Sequence, residues 1–220
     1  MVIIKNANII KELKNLYREI KPEIESKFAD FDHCLKIGDE ENIFAELIFC
    51  LFTPQSNAKL CWQSVESMRK KHLLINGDRS SILNEMNRVR FKYKKSHFVV
   101  YARDLFVNSG RYIIRNIING YKNNYKLREW LVKNVKGFGY KEASHFIRNI
   151  GKGENVAILD RHIIKSLVEF NIINNIPKSL SDRKYILLEK KMLNFTNRID
   201  IPIEHLDLVF WYRIKGEIFK

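Results

Sequence analysis

The sequence predicts an all-α protein of roughly ten helices. Apolar residues recur at helical spacing along almost all of the 220 residues, and strand-like alternation is nowhere sustained. Only 9 glycines and 4 prolines interrupt this pattern, so the connections between helices are expected to be short. A chain of this length forms one compact domain, or two small lobes that share a core.

The helices can be placed along the chain in order. A first amphipathic face over 9–24 contains Pro22, which is expected to interrupt or kink its helix. A second helix includes 43–51 and ends at Thr53-Pro54, and another includes 98–106. The same periodicity predicts further helices at about 56–70, 78–87, 125–135, 140–150, 160–171, 181–195 and 203–215.

Positive charge is concentrated in one third of the chain. Lys and Arg total 39 against 25 Asp and Glu, which gives a formal net charge of +14. Residues 84–152 hold 16 basic and 4 acidic side chains, whereas 1–83 are neutral overall and 153–220 carry a net +2. Charge confined to one segment is typical of a surface that faces a polyanion, so nucleic acid is the expected partner.

Several other classes of protein are not expected. The first ten residues lack the apolar core and cleavage site of a signal peptide, and no run of about 18 apolar residues predicts a membrane span. The three cysteines, Cys34, Cys50 and Cys61, have an odd count and no metal-like spacing. They are therefore expected to be reduced core thiols of a cytoplasmic protein rather than a disulfide framework or a zinc site.

A glycine-rich turn between two helices contains the residues most suggestive of chemistry. Gly137 and Gly139 flank Phe138, which is expected to insert into the core and join the helices. The N–H groups at the start of the second helix suit a phosphate, although an ordinary helix–helix turn would look the same. Two features favour a function: Lys141 lies where the helix dipole disfavours a positive charge, and Asp160 begins another helix nineteen residues later.

These residues resemble a known family. The sequence Gly137-Phe-Gly-Tyr-Lys141 followed by Asp160 resembles the lysine-bearing, bifunctional branch of the helix–hairpin–helix DNA glycosylase superfamily. Three sequence motifs narrow the resemblance to the archaeal-type 8-oxoguanine DNA glycosylase/AP lyases, the second family with that activity. They are Gly-Tyr-Lys-Glu-Ala-Ser-His-Phe, Ile-Leu-Asp-Arg-His-Ile and the final Phe-Trp-Tyr-Arg-Ile-Lys-Gly-Glu-Ile-Phe-Lys. The likeness extends from roughly Phe44 to the last residue.

The resemblance implies a fold and a reaction. The fold would be a helix–hairpin–helix glycosylase fold, with 1–220 forming one unit of two interleaved helical lobes, an active-site cleft between them and the hairpin motif at about 125–150. Lys141 would attack C1′ of the damaged nucleoside, form a Schiff base and allow β-elimination to cut the strand 3′ to the lesion. Asp160 would stabilise the developing positive charge and help activate the lysine. A helix N-cap is the plainer interpretation of Asp160, and the two roles are compatible.

Recognition of the flipped base is implied at four further residues. Trp211 and Phe91 match the two aromatic faces of a base sandwich, although each alone would more often be a core residue. Lys220 matches a C-terminal lysine whose terminal carboxylate would accept hydrogen bonds from the guanine N1–H and N2 donors, unless the terminus frays. Asp207 is a further candidate acceptor near the pocket.

The remaining candidate residues would contact DNA. Gln55 resembles the loop residue that fills the gap left by the flipped base, with Ser56 or Asn57 as alternatives and a helix N-cap at Ser56 as the plainer interpretation. Basic residues between the predicted helices are explained as phosphate contacts or as a solvated charged face; these are Arg88, Arg90, Lys92, Lys94 and Lys95. Gly137 and Gly139 would bring the hairpin backbone against a phosphate.

The expected partner is double-stranded DNA containing 8-oxoguanine, bound by a monomer that is cytoplasmic and associated with the nucleoid, with no membrane involved. No cofactor is expected: no cysteine follows Cys61, which excludes the iron–sulfur cluster found in many relatives. A monovalent cation at the hairpin is the expected exception. Two alternatives stay open, a non-catalytic helix–hairpin–helix DNA-binding module and a glycosylase for oxidised pyrimidines. The absent cluster and Lys220 count against the second alternative.

Overall fold

The computed structural model describes residues 2–220, with side chains described from residue 8 onward, and this part of the chain forms twelve α-helices and one short antiparallel ribbon. The helices are α1 (Val2–Lys36), α2 (Glu40–Phe52), α3 (Ala58–Lys70), α4 (Leu73–Asn76), α5 (Arg79–Asn84), α6 (Lys92–Phe106), α7 (Ile114–Asn119), α8 (Asn124–Asn134), α9 (Tyr140–Asn149), α10 (Arg161–Glu169), α11 (Asp182–Ile199) and α12 (Ile203–Lys215). The strands β1 (Val107–Asn108) and β2 (Arg111–Tyr112) form the ribbon. The predicted all-α class is confirmed. Helices α4 and α7 and the ribbon were not predicted, because four to six residues are too few to show a period.

The described chain divides into two compact units. The first comprises the described residues up to Asp30 together with Gly153–Lys220, and the second comprises Phe31–Lys152. The first unit therefore takes chain from both sides of the second. The basic segment 84–152 lies wholly within the second unit.

Helix α1 passes through Pro22 without a break, so the predicted interruption there is wrong. Proline removes one backbone donor from the helix, which costs stability when nothing offsets it. Here Leu13, Ile20 and Ile24 are all almost completely buried on one face of the helix. Burial of this face on both sides of the proline offsets the lost hydrogen bond.

Helix α2 forms the centre of the second unit. Its residues Ile43–Phe52 are all buried, and it packs against α3, α6, α7 and α9. The helix begins at an N-cap, Asp39, whose carboxylate accepts a hydrogen bond from the Asn42 backbone N–H at 2.7 Å. Its C-cap is Thr53, so this partly exposed residue lies at the end of a buried helix.

In the first unit, α12 packs against α10 and α11. The extended segment before α10 is held by two side chains of α11. The Tyr185 hydroxyl donates to the Ala157 carbonyl at 2.6 Å and accepts from the Leu159 N–H at 3.1 Å. Glu189 accepts from the Ala157 N–H at 2.9 Å. These bonds hold the backbone on the N-terminal side of α10 in place.

Cys34, Cys50 and Cys61, all within the described residues, form no disulfide. Cys50 and Cys61 are buried, but Cys34 is partly exposed, so the prediction of a core thiol is wrong for Cys34. It lies near the end of α1, where part of the helix surface faces solvent. Within the described residues, no helix has the length and apolar character needed to cross a membrane, and no group of His, Cys, Asp and Glu side chains is arranged to hold a metal ion.

Candidate active site

Helices α8 and α9 form the predicted hairpin. Helix α8 ends at Asn134, one residue before the predicted end at 135, and Gly139 is the N-cap of α9. Phe138 is buried, and its ring centroid lies 6.2 Å from that of Phe146. Its backbone N–H donates to the Val135 carbonyl at 3.0 Å. Phe138 therefore joins the two helices through the core, as predicted.

The two hairpin glycines have different roles. Gly137 has a φ of +97°, and a Cβ atom there would lie 2.4 Å from the Phe98 ring of α6. Only glycine fits this position. Gly139 has a φ of −111°, which any residue adopts, and its N–H donates to the Glu142 carboxylate at 3.2 Å. Gly137 thus allows the backbone to approach the Phe98 ring closely, whereas the approach of both glycines to a phosphate stays a prediction.

Lys141 is the second residue of α9 and is partly exposed. Its Nζ lies 3.3 Å from Thr53 Oγ1 at the end of α2, and 3.8 Å from Glu142 Oε1. The Thr53 hydroxyl donates to the Cys50 carbonyl at 3.1 Å, so its oxygen is left to accept from Lys141. The Lys141 amine is therefore held at a defined place while remaining open to solvent on one side.

Lys95 does not belong to the solvated basic face, and its assignment there is wrong. Its side chain is only 4% exposed. Its Nζ donates to the carbonyls of Phe52 at 2.6 Å and Pro54 at 2.8 Å, and to Ser56 Oγ at 3.2 Å. The residue lies on the buried face of α6, because it is four residues before Val99. The charge run concealed this helical register in the sequence.

The loop between α2 and α3 differs in one respect from the prediction. Asn57, not Ser56, caps α3, and its side chain accepts from the Leu60 N–H at 3.1 Å. The expected N-cap at Ser56 is wrong. Ser56 Oγ instead accepts from the Arg90 backbone N–H at 3.0 Å, which joins this loop to the segment before α6.

Gln55 and Phe91 lie on either side of that junction. Both have left-handed backbone conformations, with φ of 56° and 58°. Such conformations are costly for residues other than glycine and are often found at functional sites. Gln55 is exposed and the Phe91 side chain is 55% exposed. The interpretation of Phe91 as a core residue is therefore wrong.

Three basic residues near Phe91 remain available to bind phosphates. Arg88 and Arg90 are exposed, and the Arg90 guanidinium lies 5.6 Å from the Phe91 ring centroid. Lys92 is partly exposed, and its Nζ donates to Asn87 Oδ1 at 3.1 Å. A single hydrogen bond to a surface amide leaves the Lys92 charge available to an anion.

In the first unit, Asp160 is the N-cap of α10. Its Oδ1 accepts from the backbone N–H groups of His162 at 2.7 Å and Ile163 at 2.8 Å. The capping interpretation is therefore confirmed. One carboxylate oxygen is occupied by these two donors, and the side chain is partly exposed. The cap fixes the carboxylate without enclosing it.

The same helix start contacts Trp211. The His162 ring meets the Trp211 ring edge to face, with centroids 5.2 Å apart. Trp211 is partly exposed, so it is not a core residue. Burial lowers the pKa of His162, which favours the neutral ring. His162 thus contacts Asp160 through its backbone and Trp211 through its side chain.

Asp207 and Lys220 are the other candidates in this unit. Asp207 is buried and lies one helical turn before Trp211, on the same face of α12. Lys220 is partly exposed and lies five residues beyond the end of α12.

The candidate residues therefore form two sets. Lys141, both glycines, Gln55, Phe91 and the basic residues lie in the second unit, and Asp160, Trp211, Asp207 and Lys220 lie in the first. Sequence reasoning missed the roles of three residues in the second unit, namely Thr53, Lys95 and Glu142. The available signals were a helix end at Thr53-Pro54, the period of four from Lys95 to Val99, and a glutamate three residues after the N-cap glycine.

Comparison with known proteins bears on this arrangement. A family model described as 8-oxoguanine DNA glycosylase matches residues 24–201. The chain belongs to the 8-oxoguanine DNA glycosylase family. Among its relatives, a Fusobacterium nucleatum protein named 8-oxoguanine DNA glycosylase/AP lyase is 38% identical over 98% of this chain and 100% of its own length. A protein of the same name from Methanocaldococcus jannaschii is 36% identical over the full length of both chains.

Solved structures of the family match the whole fold. The M. jannaschii 8-oxoguanine DNA glycosylase aligns with a TM-score of 0.86 at 33% identity over 97% of each chain. The structure of the same enzyme with a 15mer DNA containing 8-oxoguanine aligns with a TM-score of 0.84 at 34% identity, covering both chains completely. The predicted resemblance to the family and the helix–hairpin–helix glycosylase fold are confirmed.

Proposed function

We propose that this protein excises 8-oxoguanine from double-stranded DNA and cuts the strand 3′ to the resulting abasic site. One observation carries the proposal within this family. A lysine, Lys141, begins the second helix of a glycine hairpin and is held by Thr53 and Glu142 with one side open to solvent. A purely DNA-binding hairpin has no need for a positioned amine.

Lys141 is the proposed nucleophile. Its neutral Nζ attacks C1′ of the damaged nucleoside, the bond from C1′ to the base breaks, and the base leaves with a proton. The attacking nitrogen then loses a proton. The bond from C1′ to the ring oxygen O4′ breaks, O4′ gains a proton, and a Schiff base is formed between C1′ and Lys141. Removal of a proton from C2′ then expels the 3′ phosphate, which cuts the strand.

Asp160 is the proposed electrostatic partner in this reaction. The two N–H groups that it caps hold its carboxylate in a fixed position. A fixed negative charge stabilises the positive charge that develops on the sugar as the base leaves. We propose that 1–220 forms one glycosylase unit, because each of the two compact units contains one of the proposed catalytic residues.

Trp211 and Phe91 are each proposed to stack on the flipped base. Both rings have exposed area, and an extruded base requires aromatic surfaces on which to stack. The Asp207 carboxylate and the terminal carboxylate of Lys220 are proposed as acceptors for the guanine edge. Deletion of Lys220 is expected to reduce the preference for 8-oxoguanine over guanine, measured as the ratio of their excision rates.

The rest of the proposed interface binds the DNA backbone. Gln55 would fill the gap left by the flipped base, and Arg88, Arg90 and Lys92 would contact phosphates, since all four side chains are at least partly exposed. The N–H groups at the start of α9, next to Gly137 and Gly139, would receive another phosphate.

We also propose that the protein acts as a monomer in the cytoplasm, associated with the nucleoid, without a redox cofactor. Carbonyls of the exposed turn at Gly137 would hold a monovalent cation against the phosphate. Replacing K⁺ by a bulky organic cation at constant ionic strength would then weaken DNA binding. Light scattering of the complex gives the stoichiometry.

Covalent trapping tests the proposed reaction. Borohydride added during cleavage of an 8-oxoguanine duplex should produce a stable protein–DNA adduct, and Lys141→Gln should abolish it. Lys190→Gln, which removes an exposed lysine of α11, is the matched control and should trap normally. Lesion cleavage by Lys141→Gln at the normal rate would refute the mechanism. Absence of cleavage by the unaltered protein would favour a binding module, and cleavage only at oxidised pyrimidines would change the substrate.

A further inference from the structure

The loop after α2, which contacts Lys141 through Thr53, is held by a second lysine, Lys95 of α6. Lys95 donates to the carbonyls on both sides of Thr53, those of Phe52 and Pro54, and to Ser56 Oγ. Thr53 in turn provides the oxygen next to Lys141 Nζ. One buried ammonium thus fixes the short segment that positions the proposed nucleophile.

The geometry points to Lys95 as a positioning residue that holds Thr53 where its hydroxyl oxygen orients the Lys141 amine. This inference rests on the proposed Schiff-base function of Lys141. Lys95 itself is 4% exposed and its three acceptors are all provided by the protein. It therefore acts through Thr53 and does not meet the DNA.

The number of donors explains why a lysine is needed here. A charged ammonium has three N–H donors, and the structure provides three acceptors at hydrogen-bond distance. A neutral amine has two. The charged form alone satisfies all three groups, and hydrogen bonds from a charged donor are the stronger kind.

The same ammonium joins two parts of the proposed DNA-binding surface. Ser56 Oγ receives both the Lys95 Nζ and the Arg90 backbone N–H. Gln55 immediately precedes Ser56, and Phe91 immediately follows Arg90; both have left-handed backbones. Lys95 thereby supports the two strained residues as well as Thr53.

The charges around Lys95 make its role dependent on pH. Burial lowers the pKa of Lys95 to about 8. Lys141 on α9 and Arg90 before α6 lower it as well, whereas Cys61 on α3 and Glu142 on α9 raise it. Below pH 8 the three hydrogen bonds are complete, and one of them is lost as the pH rises through that value.

The test uses Lys95→Met, which keeps the length of the side chain and removes its charge and donors. With enzyme in excess over an 8-oxoguanine duplex, excision and borohydride trapping should slow by roughly tenfold to 100-fold, as expected when a reacting group is misplaced. The Kd for a duplex with a tetrahydrofuran abasic analogue should change by a much smaller factor than the excision rate, because Lys95 itself makes no DNA contact and is linked to Gln55 and Phe91 only through Ser56. Lys190→Met on α11 is the control for removal of one charge and should behave like the unaltered protein.

Two further readouts separate positioning from a purely structural role. The ratio of the unaltered rate to the Lys95→Met rate should fall as the pH rises through about 8, since the unaltered enzyme then loses its third donor. Thr53→Val should also slow excision, and its effect should not multiply with that of Lys95→Met, because both act on one contact. If Lys95→Met does not fold, Thr53→Val still decides: it should slow excision, and the ratio of the unaltered rate to the Thr53→Val rate should likewise fall as the pH rises through about 8.

Several results would overturn the inference. If folded Lys95→Met excised at the normal rate, the hydrogen bonds of Lys95 would not be needed to position Thr53. If Thr53→Val excised at the normal rate, Thr53 would not orient Lys141. Fully multiplicative effects would show that the two residues act independently. Failure of the unaltered protein to cut any lesion would instead reject the proposed function, which is a distinguishable outcome.

Discussion

At the scale of single residues, environment separates side chains of the same type. Lys141 and Lys95 lie on either side of Thr53, yet one amine is open to solvent and the other is enclosed by three acceptors. A nucleophile needs access to its substrate, whereas a buried positioning lysine needs an acceptor for each of its N–H donors. We propose that Asp160 combines two roles, since its capping bonds also hold the carboxylate in a fixed position.

Two substitutions at Asp160 separate these roles. Asn caps helices as well as Asp does, so Asp160→Asn should keep the free energy of unfolding and slow excision by losing the charge. Asp160→Ala should slow excision similarly and lose about 1 kcal/mol of stability, because the two N–H donors lose their acceptor. Single-turnover assays and denaturant unfolding measure the two effects. Normal excision by stable Asp160→Asn would reduce the residue to a cap.

At the scale of elements, the hairpin is a rigid support. Phe138 joins α8 and α9 from the turn, and the Arg128 guanidinium of α8 donates to Ser144 Oγ of α9 at 3.1 Å. The Phe98 ring of α6 lies directly against Gly137. Because three helices meet here, the start of α9 and Lys141 are held by packing rather than by a loop.

A matched pair of glycine substitutions tests this packing. Gly137 and Gly110 both have positive φ, but a Cβ at Gly137 would overlap the Phe98 ring while a Cβ at Gly110 meets nothing within 4 Å. Gly110→Ala should cost about 1 kcal/mol from backbone strain alone. Gly137→Ala should cost roughly 2–4 kcal/mol, because overpacking adds to the strain. Equal destabilisation of the two variants in urea unfolding would contradict the steric explanation.

At the scale of the whole molecule, the charge is unevenly divided along the chain. The strongly basic segment 84–152 lies within the second unit, together with the hairpin, Phe91 and Lys141. Counterion release makes such binding dependent on salt and independent of sequence. We propose that the charge attracts DNA, and that the aromatic residues and Asp160 select the lesion and promote its reaction.

Salt titration should locate the phosphate-binding residues. The logarithm of DNA affinity should fall linearly with the logarithm of salt concentration, with a slope of about −0.9 for each phosphate neutralised. Replacing Arg88 and Lys92 by Ala should make the slope less steep by about 0.9 for each phosphate that is no longer neutralised. Replacing Lys190 and Lys191, exposed on α11, should leave it unchanged. An equal change in both pairs would argue against a localised interface.

Much of this protein follows from local patterns. Helical periodicity predicted the all-α class. The sequence motifs that contain Lys141 and Asp160 predicted the family, because both signals lie within short stretches of chain. The interruption at Pro22 and the alternative N-cap at Ser56 were wrong, since burial of the α1 face and capping by Asn57 depend on neighbours that a local rule does not take into account. Tertiary packing alone decided the environment of each lysine. It brings the end of α2, the buried face of α6 and the start of α9 together. The Lys95 ammonium is therefore enclosed by backbone carbonyls, whereas the Lys141 amine stays accessible.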